Sequence, residues 1–474
     1  MMTRWRQLVA LTLCIALPAC GGGGGGDSAT GGTATGSQTG QGCSLVERQN
    51  WAFATLREWY LFPETLPAAL DPAPYATVSD YIDALTATAR GERRDRFFTY
   101  LTSIAQENAF DATGASAGFG FRLSTDAVAA RAYVVEAFEG AAALNAGIDR
   151  GDEILAIGAD ANSLRNVSDI IAAEGTTGVT NAFGPTTAGT TRALKLSGPA
   201  GVRTVTVTKT DYSLTPVSPR YGATIIDDGG RPVAYLNLRT FITSAEPQLR
   251  AAFDSFRAAG VTDFIVDLRY NGGGLISTAE LMTDLLGRDR FASQVADTTT
   301  YRPEKASLNT VHRFTAQPQS VAPARIAFIA TGATASASEL VINAFVPYLG
   351  ANLALVGANS YGKPVGQVAI DRAACDDRLR VIAFAVRNGA GMGDYFDGLA
   401  ATVGTTCGAG DDFTHPLGDA REASVRQALD FIEGKSCAPI ATGQTNQSAR
   451  AGGTPELLAP ARPTAAQREV PGLF

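Results

Sequence analysis

Two short stretches of the chain hold the residue types of a nucleophile and its base. TASASEL, residues 334–340, sets Ser336 and Ser338 two apart, ahead of Glu339 and an apolar run. The apolar RIAFIA before it reads as a buried strand ending near Ala330, and a helix is expected from about Ser338. Ser336 then falls at a strand-to-helix turn, where a hydroxyl meets the positive end of a helix and free backbone N–H groups. Either serine could equally be a helix cap. A serine nucleophile must lose its proton, yet the chain has only two histidines, His312 and His415, both distant in sequence. GANSYGKPVGQ, residues 357–367, offers Lys363 instead. This stretch spells most of a phosphate-binding loop. However, Pro364 stands where a Ser or Thr would hold magnesium, and VGQVAI reads as a strand, so nucleotide binding is not expected. A lysine in an apolar pocket gives up its proton more readily and can take one from serine. On an open turn the same lysine would be a plain surface group. A third stretch, DLRYNGGG (267–274), ends a buried strand in three glycines, which let backbone N–H groups approach a developing oxyanion or simply form a flexible turn.

The elements that must position these groups follow from apolar patterning. Residues 43–113 read as helical: LVERQNWAFATLREWY places Leu45, Trp51, Leu56 and Trp59 at helical spacings, and SDYIDALTATAR offers Ser79 as a cap. Residues 114–212 read as short strands around glycine-rich turns. Residues 213–435 alternate strands (PVAYLNLRTF, DFIVDLRY, RIAFIA, LALVG) with helices (AEPQLRAAFDSFRAAG, SELVINAFVPYL), the pattern of an α/β layer. The fold class is therefore multidomain α/β.

The middle block opens with Gly118-Phe119-Gly120-Phe121, where small residues and aromatics alternate, and continues with GIDRGDEILAIG, a Gly-Asp turn feeding an apolar strand. Together, in this order and separation, they resemble a PDZ domain. The resemblance implies a β-sandwich-like domain that adds a peptide strand to its sheet edge and holds the peptide's terminal carboxylate in the 118–121 loop. The stretch 172–191 is longer and richer in Gly and Thr than the usual join, which leaves the peptide groove altered or gated.

DLRYNGGG, TASASE and YGKPVGQ, in that order after a PDZ-like block, resemble the carboxy-terminal processing peptidases, the S41 serine peptidases. The likeness covers about residues 45–435. It implies an α/β core of the ClpP/crotonase-like kind, Ser336 as nucleophile, Lys363 as general base and Gln367 as the group that orients the lysine. It places the oxyanion donors at Ala337 and at Gly273 or Gly274. Pro364 departs from the glycine often found after the lysine, and the helix between nucleophile and base is slightly long. GDYFDGLAATV and DDFTHPLGD resemble loops of exported lipoprotein members, so Asp394, Tyr395 and His415 could line the cleft or merely pack. The substrates implied are proteins or peptides held by their C-terminal tails. The rival reading is a catalytically silent peptide- or ligand-binding lipoprotein on the same fold.

The ends bear on location. MMTRWRQ followed by LVALTLCIAL and LPAC reads as a secretory signal over 1–19, and Leu17-Pro18-Ala19-Cys20 resembles a lipobox with Cys20 as the lipidated residue. The apolar run is too short to span a bilayer. Residues 20–42 are a glycine-rich tether, and 440–474 lack periodicity and read as a disordered tail. A periplasmic, lipid-anchored protein is expected, on the outer membrane because Gly21 is not the aspartate linked to inner-membrane retention. Four cysteines then remain for an oxidising space, with Cys375–Cys407 and Cys43–Cys437 the favoured of three pairings. Their spacings fit no zinc site, and neither a metal nor a cofactor is expected. A net charge of −7 and a pI near 5.1, without a long basic run, argue against nucleic acid.

Overall fold

The structure, a computed structural model, describes residues 42–441 and 455–474. The signal, Cys20 and nearly all of the tether lie outside the described residues. No described helix is long and apolar enough to cross a membrane.

The core is built on a six-stranded sheet in the order Ala223–Asp228, Arg231–Asn237, Asp263–Asp267, Arg325–Ala330, Leu353–Gly357 and Thr405–Gly408. The first two strands are antiparallel and the rest run parallel. The central strands are buried on both faces, which is why they read as unbroken apolar runs. Helices Ala245–Ala258, Ile276–Leu286 and Ala337–Leu349 cover one face, and Ala423–Ile432 covers the other.

A second sheet is built around the long strand Asp377–Asn388, which pairs with Tyr100–Ser103, Val295–Tyr301 and Val365–Arg372. The N-terminal block is thus not wholly helical. Helix Leu45–Trp59 forms as expected, but Tyr100–Ser103 leaves the block as a strand. Helix Val78–Leu85 is capped by Thr77, whose hydroxyl accepts from the Asp80 N–H at 3.0 Å, rather than by Ser79.

The middle domain is an antiparallel sheet of Phe121–Asp126, Arg131–Ala137, Glu153–Gly158, Thr191–Gly198 and Gly201–Thr208, closed on one side by helix Val167–Ala182, which breaks at Gly175. Its strand Phe121–Asp126 takes a further partner, Glu456–Leu457, from the far end of the chain.

Two expectations are corrected here. The cysteines pair as Cys43–Cys375 and Cys407–Cys437, with Cα separations of 5.6 and 5.3 Å. The start of the N-terminal block lies against the hairpin tip that carries Cys375, with Arg372 donating to the Glu47 carbonyl at 2.9 Å. Cys437 follows the helix packed beside the Cys407 strand. Nor is the tail disordered over 455–474. Leu458, Val470, Leu473 and Phe474 are buried in two apolar clusters. Its order comes from distant partners, so no local period announces it.

Candidate active site

Ser336 ends the loop between strand Arg325–Ala330 and helix Ala337–Leu349, at φ 56° and ψ −116°. A positive φ is strained for serine, and such strain persists only where the surroundings over-determine it. Those restraints are visible. The Thr334 hydroxyl donates to the Leu268 carbonyl at 2.9 Å, and the Ala335 N–H donates to the Asn271 carbonyl at 3.1 Å. The two candidate serines separate cleanly. Ser338 is fully buried and donates to the Asn271 carbonyl at 3.1 Å, tying the helix to the glycine loop. Ser336 instead lines a cavity of about 190 Å³ together with Gly274, Gly366 and Gln367.

Glu339 is the residue that sequence reasoning passed over. Its buried carboxylate accepts from the Ser336 N–H at 3.0 Å, the Ser360 hydroxyl at 2.6 Å, the Gly362 N–H at 2.7 Å and the Lys363 N–H at 2.7 Å. One side chain thereby clips the Ser336 loop to the Lys363 loop. Burial raises its pKa despite these four bonds. The available signal was its position three residues after Ser336, the capping-box spacing.

Lys363 is half-buried just before strand Val365–Arg372, and its Nζ donates to Gln367 Oε1 at 2.8 Å. Gln367 in turn donates to the Phe98 carbonyl. Lys363 Nζ also lies 5.2 Å from the Phe98 ring centroid. Desolvation pulls its pKa down to about 8, so a sizeable neutral fraction exists in mildly alkaline water. Arg96 holds the loop ahead of it, donating to the Tyr361 and Gly362 carbonyls and stacking 4.1 Å from the Tyr361 ring centroid. The N-terminal block therefore shapes the setting of the lysine.

The glycine loop runs against Ser336, since a Cβ on Gly273 would stand 2.8 Å from the Ser336 Cβ. Buried Arg269 fixes the loop's start through two 2.8 Å bonds to Glu422. Of the expected oxyanion donors, Ala337 heads its helix, where an N–H has no intrahelical acceptor. The Gly273 N–H is turned onto Asn271 Oδ1 at 2.9 Å, and the Gly272 N–H donates to the Glu469 carbonyl at 3.0 Å.

The remaining candidates lie elsewhere. Tyr395 is buried in the core, exposed Asp394 pairs with Arg387, and His415 pairs with Asp412 at 2.7 Å on the wall of a separate, larger cavity. In the 118–121 loop, Phe119 and Phe121 are buried against Phe183 rather than lining an open pocket. The Gly120 and Phe121 N–H groups both donate to the backbone oxygen of Phe474, at 2.9 and 3.4 Å.

Residues 232–391, which carry all three of these loops, match peptidase family S41. The chain carries a peptidase S41 family domain. Across a longer span, the chain is 27% identical over 253 residues to a carboxyl-terminal-processing protease of Picosynechococcus sp., covering 53% of this chain and 55% of that one. It is 30% identical over 228 residues to a chloroplastic carboxyl-terminal-processing peptidase 1 of Arabidopsis thaliana, covering 46% and 41%. The chain spans about half the length of the curated relatives it matches. The crystal structure of an S41 protease from Bacteroides fragilis superposes with a TM-score of 0.61 at 22% identity, over 81% of this chain and 97% of that one. That likeness extends the shared fold well beyond the S41 domain itself.

Proposed function

We propose that the protein is a serine endopeptidase of the C-terminal-processing type. Ser336 attacks the peptide carbonyl, Lys363 takes the hydroxyl proton and passes it to the leaving amine, and water resolves the acyl-enzyme. Gln367 fixes the lysine, and Glu339 holds both loops in register. The N–H groups of Ala337 and of Gly274, which lines the Ser336 cavity, receive the oxyanion. The observation that carries this reading is the buried Glu339 carboxylate, which joins, within the S41 domain, the loop of strained Ser336 to the loop of Lys363, a lysine whose pKa is drawn down to about 8. Ser338, fully buried and bonded to the glycine loop, is left a structural part. The middle domain is read as a PDZ domain that takes protein tails at the Phe121–Asp126 edge. The N-terminal signal and Cys20 are read as exporting the protein and anchoring it by lipid in the periplasm.

The test uses residues 43–474 with unfolded casein at a series of pH values. Wild-type cleavage should rise through about pH 8 as Lys363 loses its proton, and Ser336→Ala and Lys363→Ala should each lower it by roughly 10³-fold or more. Cleavage that survives in Ser336→Ala would end the assignment.

A further inference from the structure

The described residues include one segment whose place the proposed reaction does not explain. Residues 455–474 touch the middle domain and the Ser336 cleft in turn. They meet strand Phe121–Asp126 twice: Glu456–Leu457 pair antiparallel with Ser124 and Thr125, and Leu473 bridges Arg122. Between these two anchors the segment makes a short helix, Ala465–Glu469, and this helix sits at the cleft. Ala465 and Glu469 line the same cavity as Ser336. The Glu469 carbonyl takes the Gly272 N–H, and Arg468 lies 3.9 Å from the Tyr100 ring centroid.

At the far end the segment has the form of a bound peptide. The Phe474 N–H donates to the Phe121 carbonyl at 3.0 Å, and its oxygen receives the loop N–H groups of Gly120 and Phe121. Its ring packs 5.4 Å from that of Phe183, within the cluster that contains Phe119 and Phe121. Strand addition with an apolar anchor beside a glycine loop is a general mode of peptide capture.

We propose that residues 455–474 are a resident ligand of the protein's own peptide groove, closing the Ser336 cleft until a peptide of like chemistry displaces them. That chemistry is an extended segment that carries a large apolar pair, as Leu473-Phe474 does. The occupant is not itself presented as substrate. At the cleft its backbone is wound into a helical turn, with the Arg468 N–H on the Thr464 carbonyl at 3.1 Å and the Val470 N–H on the Ala466 carbonyl at 2.8 Å. A peptide bond held this way is not laid across Ser336. An intramolecular ligand competes at a high effective concentration, so incoming peptides meet a weakened apparent affinity.

The inference rests on the peptidase reading for its consequence but not for its test, which reads binding alone. In a Ser336→Ala background, a fluorescein-labelled peptide ending Pro-Gly-Leu-Phe is titrated into three proteins by anisotropy. These are the chain from residue 43, the same chain ending at residue 441, and a chain carrying Gly472→Val and Phe474→Asp. The last pair leaves every groove residue intact. Gly472 has φ +82°, with the Leu123 carbonyl 3.1 Å from where a Cβ would stand, and an aspartate at 474 would put a charge among phenylalanines. Both altered chains should bind the peptide about tenfold tighter than the parent. Equal affinity in all three overturns the inference. So does a folded shortened chain that has lost the site. If the shortened chain fails to fold, the doubly substituted chain decides alone. Tighter binding with no casein cleavage by the corresponding Ser336 proteins would leave this inference standing and remove the proposed function.

Discussion

Two glycine loops hold the segment 455–474, and they hold it differently. At 118–121 the segment is paired as a strand and receives two N–H groups on one oxygen. At 272–274 it gives a single carbonyl to a single N–H. The first contact is an anchor and the second a plug. The glycines divide the same way in both loops. Gly120, at φ +81°, would drive a Cβ to 2.0 Å from the Ala141 Cβ, and Gly274, at φ +134°, would drive one to 2.2 Å from the Phe241 carbonyl oxygen. Those two answer to the fold. A Cβ on Gly118 would instead meet the Phe474 carbonyl carbon at 3.0 Å, and one on Gly272 would meet the Arg468 carbonyl oxygen at 2.1 Å. Those two answer to the segment. A run of glycines in the sequence thus merges two demands that only the structure separates.

The fold-side glycines should give the largest effects. Gly274→Ala forces a side chain against backbone beside Ser336 and should cost on the order of 3 kcal/mol of stability, with loss of casein cleavage. Gly120→Ala, against a methyl group, should cost about 2 kcal/mol. Chemical denaturation of both would check the order. Stability unchanged in Gly274→Ala would break the distinction at its stronger end.

The segment-side glycines should leave the core sheet alone. Gly118→Ala crowds the anchor, so amide exchange should quicken along the whole of 455–474. Gly272→Ala crowds only the plug, so exchange should quicken at 468–470 and stay slow at Leu458 and Phe474. The expected change is about tenfold, with the amides of Val266 and Leu355 unmoved as reference. Equal release by both substitutions would mean that anchor and plug act as one.

The sequence disclosed the parts of this site that are local. The strand-to-helix turn at Ser336, the strand after Lys363 and the four-residue step to Gln367 depend on neighbours in the chain, and their placement matched the patterning. The parallel core sheet was legible for the same reason, as strands buried on both faces cannot hide their apolar runs. What escaped depends on residues far apart. Glu339 reaches Lys363 across 24 positions, Phe98 meets Gln367 across 269, and Gly120 takes Phe474 from the opposite end. The cysteine pairing failed on the same ground, because which two thiols meet is set by how the hairpin tip and helix Ala423–Ile432 pack. The order of 455–474 was the costliest omission. Its apolar residues are spread one or two at a time between two separate clusters, and such spacing resembles no period.

The smallest effect concerns the charge that the plug brings to Lys363. Glu469 is half-buried, its enclosed Oε2 lacks a hydrogen-bond partner, and desolvation raises its pKa to about 7. Above that pH it is ionised and favours the protonated form of Lys363. Arg468 and Arg380 act the other way, and Asp95 adds to the effect of Glu469. Arg380, Asp111 and Glu107 also face Glu469. Replacing Glu469 by glutamine removes a negative charge, so the Lys363 pKa in the resting protein should fall from about 8 by roughly half a unit, for about 0.7 kcal/mol of interaction. The chain has only five lysines, so each can be followed by its 13Cε signal as the pH is raised. Lys209 supplies the internal reference. Burial also lowers it to about 8, but it sits in the middle domain, donating to the Gly184 and Pro185 carbonyls. In Glu469→Gln the Lys363 midpoint should move down and that of Lys209 should stay. Movement of both would trace the shift to a general change of the protein. Movement of neither would separate Glu469 from the base and reduce the plug to a steric cover.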